Sequence, residues 1–142
     1  MIKNNLHILI PLIGGLLIIV SIFMPWITFF GGLHTYSGIS GLNGQILLAG
    51  GIVTLFLCKY LSSHPTQKAQ VLVGIVGFLE VGLTSFLLLQ AWQAVHPVSS
   101  NGVDSMMIEG MGPGLFVALG GALLVFSVLF LRLRQIAPQH DH

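Results

Sequence analysis

Glu80 is the one ionisable side chain set deep inside an apolar run, near the middle of Gly77-Phe78-Leu79-Glu80-Val81-Gly82. A charged carboxylate at the centre of a bilayer costs on the order of 3 kcal/mol or more, so such a group faces protein or water. The chemistry open to it there is proton exchange, cation binding or a hydrogen bond between helices. Its i−3 and i+4 neighbours, Gly77 and Thr84, give that helix a small and polar face. Thr54 falls at similar depth on the preceding apolar segment and is the expected hydrogen-bond partner. Glu80, Thr54 and Thr84 therefore make a candidate ion or proton site. The plainer reading is a neutral carboxyl that specifies helix packing. A transporter should add a second polar site or a broken helix at the midplane, and neither is evident in the sequence.

Other reactive residue types form weaker sets. The six histidines are scattered: His7 and His64 at one boundary, His34 and His96 in separate loops, His140 and His142 at the end. None lies deep within a span, where a haem axial ligand would be needed. His96 with Met106, Met107 and Met111 is a soft-ligand set of the kind that binds Cu(I), although methionines before a membrane helix more often serve as apolar contacts. No metal site and no cofactor is expected. Ser99, Ser100 and Ser105 lie near His96 and Asp104, but a catalytic triad is defined by geometry, and Ser99-Ser100-Asn101-Gly102 reads as a turn. Asp104 and Glu109 give that loop a modest negative character. Cys58 is a single cysteine, which excludes an internal disulfide and a CxxC pair and leaves a small packing residue.

The elements that must position these residues are four apolar runs, about 6–26, 45–61, 71–92 and 114–131. Each has close to the 17–25 residues a helix needs to cross the hydrocarbon core. The chain is 54% hydrophobic and 6% charged. A soluble domain has about a quarter of its residues charged, so a water-facing surface is excluded. A net charge of +1 without clustered Lys and Arg excludes nucleic-acid binding. The first run resembles a signal sequence only in following Lys3. It is long for one and no Ala precedes Ala49, so it is expected to remain as a helix. Residues 1–142 thus read as a single transmembrane domain.

The basic residues set the orientation. Lys3 precedes the first run, Lys59 and Lys68 flank the turn between the second and third, and Arg132 and Arg134 follow the fourth. The loops 27–44 and 93–113 carry no Lys or Arg. Short basic loops stay cytoplasmic, which predicts both termini in the cytoplasm and these two loops outside, in a cell (inner) membrane. Trp26 and Trp92 are expected as interfacial anchors at the outer boundary, and Tyr60 marks an inner end. Thr66, after Ser63-His64-Pro65, is a helix-start signal.

The expected fold class is all-α: a polytopic four-helix transmembrane bundle. Gly50-Gly51 and Gly120-Gly121 follow Asn43-Gly44 and Pro113-Gly114 at the same interval, which hints at two tandem hairpins. Small residues spaced at i+4, Gly50-Thr54-Cys58 and Gly114-Ala118-Ala122, let backbones approach closely. Gly50, Gly77, Gly114, Ala118 and Ala122 are the expected helix-packing residues.

Three family resemblances rest on short segments. Met24-Pro25-Trp26, a loop with Ser37-Gly38 and Gly41, then Asn43-Gly44 and a Gly-Gly helix, resembles small uncharacterised bacterial four-helix membrane proteins. More faintly it is similar to claudin-like proteins, but it lacks their G-L-W and cysteine pair, and the first loop is expected to be too short for their extracellular sheet. Residues 65–90, a turn and then an apolar helix with a central Glu, resemble the carboxylate-bearing helix of rotary-ATPase proteolipid subunits, without that family's glycine run or R-Q-P turn. The first resemblance implies the topology above, and none of the three transfers a functional residue. Small multidrug-resistance transporters, also four-helix proteins with one essential Glu, carry it in the first helix, where this chain has no acid.

These observations lead to a non-enzymatic expectation. The chain reads as an accessory, assembly or stabilising subunit of a membrane complex, or a homo-oligomer, with the lipid bilayer and other membrane subunits or its own copies as partners. The alternative is a proton- or cation-coupled transporter or channel component using Glu80.

Overall fold

The computed structural model describes residues 6–29, 34–64, 66–95 and 108–136. Among these residues the apolar runs become four helices: α1 (Leu6–Phe23), α2 (Leu42–Ser63), α3 (Gln67–Val95) and α4 (Pro113–Ile136). α1 packs on α2, α2 on α3, α3 on α4 and α4 on α1, so the helices close a ring around one interior. The inward positions of α2 are Gly44, Leu47, Gly51, Thr54, Cys58 and Leu61. Those of α3 are Ala69, Val73, Gly74, Gly77, Glu80, Thr84, Leu87 and Ala91. Steps of three and four residues keep one face of a 3.6-residue helix on the interior.

The outward faces are apolar too. Leu9, Ile13, Leu16, Val20 and Phe23 run exposed down α1, and Phe56, Phe78, Leu79, Phe86 and Phe116 project from the other helices. α2 and α3 are long and apolar enough to cross a membrane. The apolar parts of α1 and α4, Ile8–Phe23 and Pro113–Leu129, are shorter.

The described residues are mostly helical, as expected of an all-α fold, and a small sheet is added to the four helices. Residues of both predicted loops build a three-stranded antiparallel sheet at one end of the bundle, in the order β2-β1-β3, from β1 (Pro25–Phe29), β2 (His34–Ser37) and β3 (Ile108–Met111). The first loop is therefore long enough to contribute two strands. Ile27 pairs with Tyr36 on one side and with Met111 on the other. β-branched and aromatic residues dominate β1 and β2 and suit a pleated surface. The register slips between Pro25 and Ile27, which leaves Trp26 as the extra residue of a bulge. Pro25 also explains why α1 stops at Phe23 and not at Trp26: it cannot continue the helix and drives the preceding residue out of helical geometry.

The opposite end is the short α2–α3 turn. Thr66 Oγ1 accepts a hydrogen bond from the Ala69 amide at 3.3 Å and caps the start of α3. The exposed Tyr60 ring stacks on His64 with centroids 5.1 Å apart. Lys59 and Lys68 are exposed here. Lys3 lies outside the described residues.

The four contacts around the ring are unequal. α1 and α4 meet most extensively, while α2 and α3 meet least. A twofold axis relating the hairpins would exchange these two contacts and make them equal.

Candidate functional site

The inward stripe of α3 carries Glu80 into the α2–α3 seam at mid-depth, where only 4% of the residue is exposed. Thr54 Oγ1, fully buried on α2, donates to Glu80 Oε1 at 3.1 Å. One turn before Thr54, Gly50 leaves room for the carboxyl, since a β-carbon there would stand 3.0 Å from Oε1. Thr84 takes a different part from the one its spacing implied. Its hydroxyl donates to the Glu80 backbone carbonyl at 2.7 Å and lies 3.1 Å from that of Val81. A helical Thr that bonds back to its own preceding turn adds a polar atom to the seam without touching the carboxyl.

Glu80 Oε2 is buried and has no hydrogen-bond partner among the described residues. An unpaired buried polar atom costs about 1–3 kcal/mol, so its presence calls for an explanation. The carboxyl thus has one oxygen fixed by Thr54 and one available. Calcium and magnesium take six or more oxygen ligands, and two carboxyl oxygens with one hydroxyl fall far short of that.

The other inner groups pack. Gly77 seats α3 on α4, where a β-carbon would stand 2.6 Å from the Phe126 amide nitrogen. Gly114 lies against Trp26 and the Ser21 carbonyl, and Ala118 and Ala122 are fully buried on α4. A close crossing of α1 and α4 was not anticipated. A β-carbon added at Gly14 would stand 2.6 Å from the Gly121 carbonyl oxygen, and one added at Gly121 would stand 2.7 Å from that of Gly14. Of the Gly120-Gly121 pair only Gly121 packs, because Gly120 has nothing within 4 Å. Cys58 is buried and free on the inner face of α2.

Trp26, expected as an interfacial anchor, is a core residue. It is 5% exposed, and its indole Nε1 donates to the Ser21 carbonyl at 3.0 Å. The bulge in β1 turns the ring into the bundle, over Gly38 and Gly114. Trp92 is 56% exposed near the sheet end of α3, a position open to a headgroup region. Of the soft-ligand set, Met111 in β3 packs half-buried against the apolar core, and His96, Met106 and Met107 lie outside the described residues. The polar loop around Ser99, Ser100, Asp104 and Ser105 also lies outside them.

Sequence reasoning missed a cavity of about 340 Å³ at the sheet end, between the start of α2 and the end of α3. Asn43, Gln90 and Tyr36 supply its polar lining, and Leu87 and Trp26 line it among the apolar residues. The available signal was the pairing of an amide at each of these helix ends, Asn43 and Gln90, in an otherwise apolar chain. No family model, curated protein or solved structure matches this chain.

Proposed function

We propose that this chain is a non-enzymatic integral membrane protein whose four helices all cross the bilayer. In this reading both termini and the α2–α3 turn are cytoplasmic, and the small sheet is outside. It acts as an accessory, assembly or stabilising component, alone in several copies or with other membrane subunits. The observation that carries this reading is an apolar exterior around an interior that holds the few buried polar side chains. Leu9, Ile13, Leu16, Val20 and Phe23 face outward, while Ser21, Thr54, Glu80 and Thr84 are buried. Only 28% of the apolar window of α2 and 33% of that of α3 is buried, which supports this reading because the core helix of a soluble domain is mostly buried. Lipid is the solvent that such an exterior suits, and small residues at helix contacts are the usual means of association within it. The shorter helices α1 and α4 are extended towards the outer boundary by the sheet that follows and precedes them.

Native mass spectrometry of the protein extracted into nanodiscs at its natural expression level tests the role. Stoichiometric companion subunits or several copies of this chain are expected, and a lone monomer would contradict it. Orientation has its own test. A Ser63→Cys variant should react with an impermeant thiol reagent only from the cytoplasmic side, and labelling from outside would reverse the topology.

A second reading is favoured by one specific observation, the buried Glu80 Oε2 without a partner among the described residues. In it Glu80 takes up and releases a proton within the membrane, and Thr54 holds the carboxyl in place through Oε1. Carboxylates at this depth are characteristic of proton and ion pathways. Glu80→Gln preserves the hydrogen-bonding shape and removes the exchangeable acid. A fully assembled Glu80→Gln protein that has lost its cellular role supports the second reading, and one that keeps its role returns Glu80 to packing alone.

A further inference from the structure

The available carboxyl oxygen needs a route to water, and the two ends of the α2–α3 seam differ in what they offer. Towards the sheet, the seam opens into the cavity lined by Asn43, Gln90 and Tyr36. Leu87 lines that cavity and lies on the same inward stripe as Glu80. The two are separated by two helical turns, about 10 Å along the axis. On α2 the matching steps run from Gly44 at the cavity through the buried Leu47 to Gly51 and Thr54. Between cavity and carboxyl the inward faces of α2 and α3 therefore hold Leu47, Leu87 and the polar Thr84, with Gly51 set against α1 at Gly15. Towards the turn, Cys58, Leu61, Ala69 and Val73 close the interior, and all four are buried. The concavity at that end is lined by Gln67, Lys68, Val71, Leu72 and Ile75, on the outer side of α3 and off the seam.

We propose that the sheet-end cavity is the proton entrance to Glu80, with Leu47 and Leu87 forming the apolar barrier between them. The inference rests on the second reading above, in which Glu80 exchanges a proton. A hydronium ion reaching the seam transfers its proton to Glu80 Oε2. One O–H bond forms on the carboxyl, one breaks on the ion, and a water molecule is left; release is the reverse. The amides of Asn43 and Gln90 and the phenol of Tyr36 supply hydrogen-bonding groups that keep water in the cavity. Crossing the Leu47–Leu87 barrier is the slow step, because among the described residues of the seam only Thr84 adds a polar side chain there. The described inner faces hold one other titratable group, the Cys58 thiol on α2, on the turn side of Glu80. The described side chains of α4, which packs on α3 at Gly77, include none.

The test uses the full chain in proteoliposomes of uniform orientation, assigned by an impermeant amine reagent on Lys59 and Lys68. A pH jump is applied on one side at a time, and the infrared carboxyl band of Glu80, identified by its loss in Glu80→Gln, is followed in time. The band should respond at least about tenfold faster to a sheet-side jump than to a turn-side jump, equivalent to about 1.4 kcal/mol of barrier. Leu87→Ala should accelerate the sheet-side response and leave the turn-side response unchanged. Equal rates, or faster response from the turn side, would overturn the entrance while leaving the proton site standing. A band that responds to neither jump overturns both.

Discussion

Across the ring from Glu80, α1 meets α4 backbone to backbone, with Gly14 and Gly121 each set against the other's carbonyl. The fully buried Ile18, Ala118, Ala122 and Val125 continue that contact. The α2–α3 seam is made differently. It is the least extensive of the four, its centre is a carboxyl held by one hydroxyl, and its sheet end opens into a cavity. Both seams use small residues, Gly14 and Gly121 in one and Gly50 in the other, but to different ends. In the first, glycine brings two backbones together. In the second, it makes space for a polar side chain. A glycine stripe in an apolar sequence therefore identifies a seam without saying what the seam is for.

The contrast can be broken most forcefully at α1–α4. Gly121→Leu should destabilise the bundle by about 3 kcal/mol, because the added side chain meets the Gly14 carbonyl and a packed core resists overfilling. The same change at the adjacent Gly120, which faces open space, should be neutral within about 0.5 kcal/mol. Reversible unfolding in mixed detergent–lipid micelles measures both, and equal losses would show that the crossing is not specific to Gly121. Trp26→Phe comes next. It removes the indole hydrogen bond to Ser21 from Trp26, which is buried where Trp92 is exposed, and should cost about 1 kcal/mol. Fluorescence sharpens this pair: a water-soluble quencher should reach Trp92 in the Trp26→Phe protein and fail to reach Trp26 in the Trp92→Phe protein.

At the α2–α3 seam the expected changes are smaller. Thr54→Val leaves Glu80 Oε1 without its donor and should cost about 1 kcal/mol, near the upper range for a hydrogen bond between membrane helices. Glu80→Gln retains an acceptor for Thr54 and should change unfolding by less than about 0.5 kcal/mol. A large loss of stability in Glu80→Gln would mean that the acid itself, and not its hydrogen-bonding shape, holds the seam together.

Much of this was legible in the sequence because the signals were local. Run length gave the helices, and a lone Glu in an apolar segment drew attention to position 80. The depth of Thr54 on the neighbouring segment placed it beside Glu80. The sheet was less legible, since β1 and β2 are short and lie next to helices whose hydrophobicity dominates any window that includes them. The signal was present in the β-branched and aromatic runs Trp26-Ile27-Thr28-Phe29 and His34-Thr35-Tyr36, with Gly31-Gly32 between. Trp26 was misplaced for a different reason. A tryptophan at a helix end reads as an interfacial anchor, and only the register slip in β1 turns it inward. The Gly14–Gly121 crossing and the cavity each depend on residues far apart in sequence, and no periodicity within one helix encodes which helices become neighbours. Thr84 shows the limit of face arguments: its i+4 position beside Glu80 was right, and its hydroxyl bonded the backbone instead.

The claim at the centre of this account is that Thr54 and Glu80 hold each other across the α2–α3 seam. A double-mutant cycle of Thr54→Val and Glu80→Leu, read by reversible unfolding in lipid, tests it most directly. Coupling of about 0.6–1.7 kcal/mol between the two positions is expected for a hydrogen bond between membrane helices. Strictly additive losses would mean that the two side chains do not interact in the membrane, and the site built on them would have to be abandoned.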